Sequence, residues 1–518
     1  MPEKQVQLKS NHKSLWLATS SKTNYPALDR DISVDVVVVG GGLAGISTAW
    51  FLKQEGYRVA VLEADRICQG TTGHSTAKIT SQHDLIYDEI STQFGHELAQ
   101  QYADANEAAI KVMADLANEH KLDCDFQRKP AYVFTQQDKY VKKLEREVEA
   151  ATGLGIEAEY LQELDLPFPV KAALRFPHQA QFHPRKYVLG LAQQIPGDGS
   201  GIYEETAATG IEEGAPSATV LTQQGYKVKA DKIVIASHFP FHDGLGLYFA
   251  RMHPQRSYIL AVRSGDKLAQ GMYVSAESPG RSLRTQREGK DELLLVAGEH
   301  HKTAHGEEEE VHYDNLLGFA RDNFALQEVV YRWSAQDYTT MDKVPYIGAI
   351  RPGNDNILVA TGFRKWGITT STVAGLLIRD LIKGGNSPWQ DVYDPGRGVK
   401  LRSAGKLISI NADVARELIS GKLKGPDLGD VAQGEGKIAK MDGRKVGAYR
   451  DEQGELHVVD ITCTHLGCEL KWNSAEKTWD CPCHGSRFGY RGEIVEGPAL
   501  KPLQQGSGDK NDIDPDII

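Results

Sequence analysis

The sequence predicts an α/β fold through about residue 385 and a small all-β domain after about residue 426. Three observations carry this. Val36 to Val39 is a continuous β-branched run, followed by Gly40-Gly41-Gly42-Leu43-Ala44-Gly45, an apolar helical stretch and a second strand-like run, which is the pattern of a Rossmann-like βαβ unit with a strand buried on both faces. Helical and strand-like segments then alternate. Beyond about Pro426 the apolar runs become short and turn signals recur at Asp442-Gly443 and Asp451 to Gly454, as in an antiparallel domain of short strands.

Residues 1–30 are polar with the apolar anchors Leu15, Trp16 and Leu17, and read as an arm packed on the main body. Leu43 to Gln54 reads as a helix ended by Gly56, and Arg58 to Leu62 as the next strand. From Glu97 to His120, Leu98, Tyr102, Ala105, Ala109, Val112 and Leu116 recur at steps of three and four, giving one apolar helical face. Tyr140 to Ala151 repeats that spacing with Val141, Leu144 and Val148. Strands are expected at Ala131 to Phe134, Lys232 to Ser237, Ser257 to Val262 and Glu292 to Val296. The acidic run Glu307 to Glu310 reads as a solvated surface. Residues 386–425 read as a linker with a helix at Asn411 to Ser420, residues 426–505 as the all-β domain and 506–518 as a polar tail.

At 518 residues the chain is long enough for roughly three domains. Its 59 Lys+Arg against 70 Asp+Glu give a net charge of -11, which leaves no case for a nucleic-acid partner or an acidic membrane surface. Any anionic ligand must be held locally. The longest uncharged stretch, Val36 to Leu52, is 17 residues and broken by four glycines, so no membrane span is expected. No secretory signal is visible, and a cytoplasmic location is expected by default.

The glycine turn fits G-x-G-x-x-G, and Glu63 follows 18 residues after Gly45. Gly40 permits the tight turn, Gly42 lets a pyrophosphate approach the backbone, and Gly45 lets the helix lie close to the sheet. The helix start offers N–H groups and partial positive charge to phosphates, and Glu63 offers a carboxylate to ribose hydroxyls. These features specify a dinucleotide without deciding between NAD and FAD.

Of six cysteines, Cys463, Cys468, Cys481 and Cys483 fall within 21 residues, a clustering that points to a metal. Cys463-Thr-His465 and Cys481-Pro-Cys483-His484 form C-x-H and C-x2-H half-sites. Two thiolates suit one iron of a [2Fe-2S] cluster, while neutral imidazoles on the other iron raise its potential. Tetrahedral zinc is the competing reading of Cys463, His465, Cys481 and His484. Cys68 and Cys124 read as inert packing thiols.

The glycine turn with Glu63, the stretch Gly70 to Lys78 (GTTGHSTAK), the strand Ile233 to Ser237, and the late segment Pro345 to Gly348, Asn356 to Gly362 and Gly367 resemble the D-amino-acid oxidase-like (glycine and sarcosine oxidase) flavoproteins over about residues 31–385. The resemblance implies a discontinuous FAD-binding domain (about 31–95, 180–245 and 335–385) interleaved with an α+β substrate domain. It also implies FAD contacts from Gly40, Gly42, Leu43, Ala44, Gly45, Glu63, Ala64, Thr71, Thr72, His74, Ala208, Ala236, Gly362 and Gly367. His74, Lys78 and Trp366 are the implied catalytic residues, although Lys78 also reads as a surface ammonium and His74 as a packing histidine. Where the sarcosine-oxidising members carry basic residues, this chain has Val296, Ser81 and Thr369, which argues against oxygen as the oxidant. Arg251, Tyr258, Arg284, Lys365 and Trp366 are candidates for the substrate pocket.

The cysteine-histidine segment, from about Asp427 to the Gly497-Pro498-Ala499 turn, resembles a Rieske domain of the cytochrome bc1/b6f type. That resemblance implies a Cys468–Cys483 disulfide clamping the ligand loops. Ser486 is placed to donate to a cluster sulfur, whereas Phe488 lacks the tyrosine hydroxyl of high-potential relatives, so a potential below the respiratory proteins is expected within a span of about -150 to +300 mV. The combined reading is an FAD enzyme oxidising a C–N bond of an amine-like substrate, with electrons leaving singly through the cluster to an external acceptor. Its rivals are reversed electron flow, for a reduction or oxygenation, and a non-enzymatic redox relay or sensor.

Overall fold

The computed structural model describes residues 11–243, 245–397 and 427–506. The helix expected at Asn411 to Ser420 and the tail beyond Gly506 lie outside the described residues. The chain divides into two compact units, one comprising Met1–Gly246, Arg256–His300 and Tyr313–Gly398, the other Leu247–Gln255, His301–His312 and Val399–Ile518.

Two sheets organise the first unit. In one, the parallel strands Gly201–Tyr203, Val59–Leu62, Ile32–Val39 and Lys227–Ile235 lie side by side. Lys227–Ile235 is long enough to pair at its start with the antiparallel Ala218–Thr222 and at its end with the parallel Ile357–Thr361. Val36, Val37 and Val38 are wholly buried, as the unbroken β-branched run requires for a strand covered on both faces. The helix Leu43–Gln54 is buried continuously from Leu43 to Leu52. A helix apolar all round packs on more than one side, and this one lies against both the sheet and the late helix Gly367–Ile382.

The other sheet has nine strands in the order Asn11–His12, Leu326–Thr340, Met252–Ser264, Asp291–Lys302, Arg281–Glu288, Met272–Ser275, Ala131–Thr135, Ala172–Phe176 and Glu159–Leu161. The helix His96–Glu119 presents the expected face, but Leu98 and Val112 are only half-buried while Asn106, Ile110 and Met113 are buried. Asn106 Nδ2 donates there to the Tyr102 carbonyl (2.8 Å) and the Tyr393 hydroxyl (3.1 Å), while its Oδ1 is buried without a partner among the described residues. The run Glu307 to Glu310 is not uniformly solvated. Glu307 and Glu308 are exposed, but the helix Glu309–Asn323 begins inside the run and buries Glu309 to 8% exposure in its first turn.

In the second unit, Gly436–Met441, Arg444–Arg450 and Leu456–Asp460 form one antiparallel sheet; Lys471–Asn473, Thr478–Asp480, Arg487–Gly489 and Ile494–Glu496 form another. The first hairpin turns at Asp442 (φ 49°) and Gly443 (φ 77°), a pair of left-handed residues that matches the strand twist. Trp479 and Phe488 face each other across the second sheet, both fully buried. Among the described residues no helix is long and apolar enough to cross a membrane.

Candidate functional site

The glycine turn joins Ile32–Val39 to Leu43–Gln54. Gly40 has φ +110°, and a Cβ on it would lie 2.4 Å from the Ala236 carbonyl oxygen, while one on Gly45 would lie 1.8 Å from the Gly40 oxygen. Neither position admits a side chain. A Cβ on Gly42 would meet only Thr72 Oγ1, at 3.3 Å. Its small size is therefore not demanded by the fold, as expected where a ligand phosphate approaches the backbone. Leu43 N–H at the helix start donates to Thr72 Oγ1 (2.9 Å). Glu63 accepts from Gly41 N–H (2.7 Å) and Asp65 N–H (3.0 Å), and desolvation pushes its carboxyl up despite these donors. Ala64 is exposed beside it; Ala208, which starts the strand Ala208–Glu212, and Ala236, which follows the strand Lys227–Ile235, are buried.

The stretch after Gly70 forms a short 3-10 turn, Thr71–His74, and then the strand Lys78–Ile79. His74 Nδ1 lies 2.9 Å from the Gly70 carbonyl, and its own carbonyl accepts from Trp333 Nε1 (2.8 Å). Lys78 is no surface ammonium. It is 5% exposed, and its Nζ donates to Thr76 Oγ1 (3.3 Å) and to Ser282 Oγ. Burial, with the Arg284 charge adding to it, pushes Lys78 down to about 7. Arg284 is itself wholly buried, donating to the Ala77 (2.6 Å) and Thr76 (3.1 Å) carbonyls, and burial lowers it to about 9. A buried lysine near neutrality gains or loses its proton readily when charge appears beside it.

The late segment meets the early one here. Thr71 Oγ1 lies 3.2 Å from His238 Nδ1, and His238 Nε2 lies 3.1 Å from Asp337 Oδ1, whose other oxygen accepts from the Lys365 amide. Trp366 caps the helix Gly367–Ile382, donates to Asp84 Oδ2 (3.2 Å) and stacks on His83 with centroids 5.1 Å apart. Burial lowers His83 to about 3 and Lys365 to about 8. Gly362, at φ 75°, ends the strand Ile357–Thr361. Thr369 exchanges hydrogen bonds with the Thr80 backbone (2.9 Å each), Ser81 is buried beside it, and Val296 is fully buried opposite Leu283. Tyr258 packs edge-on to Tyr313 in the core. Arg251 lies in the second unit, on the short helix Tyr248–Arg251. His83, His238 and Asp337 join this network without a local motif to announce them; only the tertiary fold brings them beside Thr71 and Trp366.

In the second unit, two tight loops face each other. Cys463 N–H donates to Cys468 O (2.9 Å) and Gly467 N–H to Cys463 O (2.9 Å) in one; Cys481 N–H donates to Ser486 O (2.8 Å) in the other. Cys468 and Cys483 are joined by a disulfide, and Cys481 Sγ lies within 4.8 Å of both its sulfurs. Cys463 and Cys481 are buried thiols, and the Nδ1 atoms of His465 and His484 are buried, their rings 5.1 Å apart at 87°. A hydrogen bond from Cys481, with a further one from Ser486, lowers Cys463 to about 7, while Cys481 is pushed well up. Ser486 Oγ also accepts from Ala499 N–H (3.1 Å). Two thiols and two inward-turned imidazole nitrogens on clamped loops suit the iron pair of a [2Fe-2S] centre. Cys68 and Cys124 are buried and their thiols raised, Cys124 to about 11, consistent with inert packing.

Comparison with known proteins places both regions. Residues 35–381 match the FAD dependent oxidoreductase (DAO) family model, and residues 426–506 match the Rieske [2Fe-2S] domain model. The latter match decides against zinc. A Rieske 2Fe-2S iron-sulfur protein, YhfW of Bacillus subtilis (strain 168), is 45% identical over 492 residues, covering 95% of this chain and 96% of its own. Gamma-glutamylputrescine oxidoreductase of Escherichia coli (strain K12) is 25% identical over 72% of this chain and 90% of its own. The crystal structure of glycine oxidase from Geobacillus kaustophilus superposes with a TM-score of 0.59 at 20% identity, covering 71% of this chain and 99% of that one, and so shares the fold. With a glycine cradle for a dinucleotide in one unit and a clamped cysteine-histidine pair of loops in the other, the chain belongs to the DAO family of FAD-dependent oxidoreductases and carries a C-terminal Rieske [2Fe-2S] domain.

Proposed function

We propose that this enzyme oxidises a C–N bond of an amine or amino-acid-like substrate and delivers the two electrons one at a time, by way of the Rieske centre, to an external acceptor. One observation carries the reading: a DAO-type segment and a Rieske segment share a single chain, and the YhfW relative spans 95% of it. Bound FAD accepts an electron pair and releases single electrons, which a [2Fe-2S] centre takes singly. Joining both sites covalently spares the second transfer a diffusional encounter.

In this reading Gly40, Gly42, Leu43, Ala44 and Gly45 receive the pyrophosphate, and Glu63 and Ala64 the adenosine end. Ala208, Ala236, Gly362 and Gly367 close over the dinucleotide, and Thr71, Thr72 and His74 line its flavin half. Lys78, near neutrality, supplies a cation where negative charge develops. Trp366 on His83 forms a wall beside the reacting carbon. Cys463, His465, Cys481 and His484 hold the cluster. The buried, uncharged Val296 favours a dehydrogenase over an oxidase. Substrate type follows relatives named for gamma-glutamylputrescine and glycine, and a cytoplasmic setting belongs to the same reading.

Anaerobic mixing of the holoenzyme with primary and N-methylated amines and amino acids tests it. Bleaching of the flavin absorbance by a member of the panel is the expected result. Bleaching by none, together with cluster reduction by a reduced-nicotinamide-dependent partner, would instead establish the reversed flow.

A further inference from the structure

The stretch Gly73 to Ala77 leads from the short turn Thr71–His74 into the strand Lys78–Ile79. Its backbone carbonyls lie outside any sheet ladder, and carbonyls drawn out of water must find donors elsewhere. Each of the five finds one on a side chain distant in sequence. Ser14 Oγ donates to Gly73 O, Trp333 Nε1 to His74 O (2.8 Å), Trp16 Nε1 to Ser75 O (2.7 Å), and Arg284 Nη1 to Thr76 O (3.1 Å) and Ala77 O (2.6 Å). The shape of this stretch is therefore imposed from outside it.

Two of the five carbonyls take their donor from the N-terminal arm, and two more from an arginine that the arm covers. Ser14, Leu15 and Trp16 are fully buried where the short helix Leu15–Ala18 begins. The Arg284 guanidinium lies over the Trp16 ring, 5.5 Å from its centroid, and a cation held over an indole face in this way keeps its fork aimed. A Cβ on Gly73 would lie 2.6 Å from the Cys68 carbonyl oxygen and 3.3 Å from Leu17 Cδ2, so a side chain there would push the turn away from both. The arm is tied on either side of this contact. Asn11–His12 pairs in parallel with Leu326–Thr340. Downstream, Thr23 Oγ1 donates to Glu204 Oε1, the Tyr25 amide to Glu204 Oε2 (3.0 Å) and the Leu28 amide to Thr206 Oγ1 (3.0 Å). Ser14 and Trp16 thus present their donors from a fixed position.

We infer that the N-terminal arm is part of the FAD site, with Ser14 and Trp16 as positioning residues that set the turn Thr71–His74 and so slow the release of bound FAD. This rests on the proposed placement of Thr71, Thr72 and His74 along the flavin half. Both arm residues act through the carbonyls they hold, Ser14 on the turn itself and Trp16 on the chain that leaves it, directly at Ser75 and by way of Arg284 at Thr76 and Ala77.

Release of FAD from the full-length holoprotein on dilution, followed by the rise in flavin fluorescence, tests this without any substrate. Trp16→Phe keeps a ring beneath Arg284 and removes the donor to Ser75; Ser14→Ala removes the donor to Gly73. Each is expected to speed release about three- to tenfold, the worth of one hydrogen bond. Glu147→Ala, which strands the amides of Ile86, Tyr87 and Asp88 away from the turn, is the control for lost stability, and is expected to unfold more easily yet release FAD at the wild-type rate. Thr72→Val, in the turn itself, checks the underlying placement and is expected to speed release as well. Release at the wild-type rate from either arm variant overturns the inference; fast release from Thr72→Val in that event leaves the placement of the turn standing, and wild-type release from Thr72→Val removes that placement too. Release sped as much by Glu147→Ala as by the arm variants also overturns the inference, because stability alone would then account for it.

Discussion

Lys78 places an ammonium where burial opposes its charge. Its folded value, about 7, lies below the ordinary lysine value of 10.5, so between these pH values the unfolded chain binds the extra proton. Stability from this residue is then complete above 10.5 and is lost as pH falls toward 7, with a slope approaching about 1.4 kcal/mol per pH unit. Denaturant unfolding of wild type and Lys78→Met across that window is expected to show a steeper slope in the wild type, since Lys365, lowered to about 8, titrates in both; parallel curves would contradict it. At the cluster, Phe488 fills the core beside Cys463 and Cys481 without a hydroxyl. Phe488→Tyr is expected to raise the cluster midpoint in a redox titration, since an added donor stabilises the reduced form; an unchanged or lowered midpoint would count against this. The clamped cysteine-histidine loops and the glycine turn with Glu63 beside it were legible because each sits inside a short motif. The burial of Lys78 was not, because it is produced by Ser282 and Arg284, some two hundred residues away.

At the scale of elements, the glycine turn separates two kinds of requirement. Gly45→Ala drives a methyl into the Gly40 carbonyl and forces the helix Leu43–Gln54 off its sheet, so the variant is expected to lose both FAD and stability. Gly42→Ala meets only the movable Thr72 hydroxyl, so its fold should persist while FAD affinity falls. Apoprotein unfolding and flavin fluorescence titration distinguish the two, and equal stability losses would contradict the distinction. Glu147, on the helix Asp138–Gly153, accepts from the amides of Ile86, Tyr87 (2.7 and 2.8 Å) and Asp88 (3.0 Å) at the start of the helix Tyr87–Phe94. Glu147→Ala strands those donors and is expected to cost about 1–3 kcal/mol in chemical denaturation. Periodicity revealed the helix Asp138–Gly153, expected over Tyr140 to Ala151, since an apolar stripe is a local property; the helix Tyr87–Phe94 was not expected. Periodicity gave no sign of Glu147, because a charged residue that caps another helix looks like any surface glutamate until that helix is beside it.

At the scale of the molecule, the chain combines a doubly covered parallel sheet, a large second sheet and a small clamped iron-binding domain. The two cofactor regions were legible because each places its chemistry on a loop between regular elements, where spacing is preserved in the sequence. The inclusion of Leu247–Gln255 and His301–His312 in the same unit as the Rieske sheets was not, since nothing in those segments resembles a motif. The functional account depends on electrons given to the flavin arriving at the iron pair. The direct measurement is electron paramagnetic resonance of the anaerobic holoenzyme frozen after reduction by an amine that bleaches its flavin. A rhombic [2Fe-2S] signal approaching that of a dithionite-reduced sample is predicted, and a bleached flavin beside a silent, oxidised cluster would contradict the account.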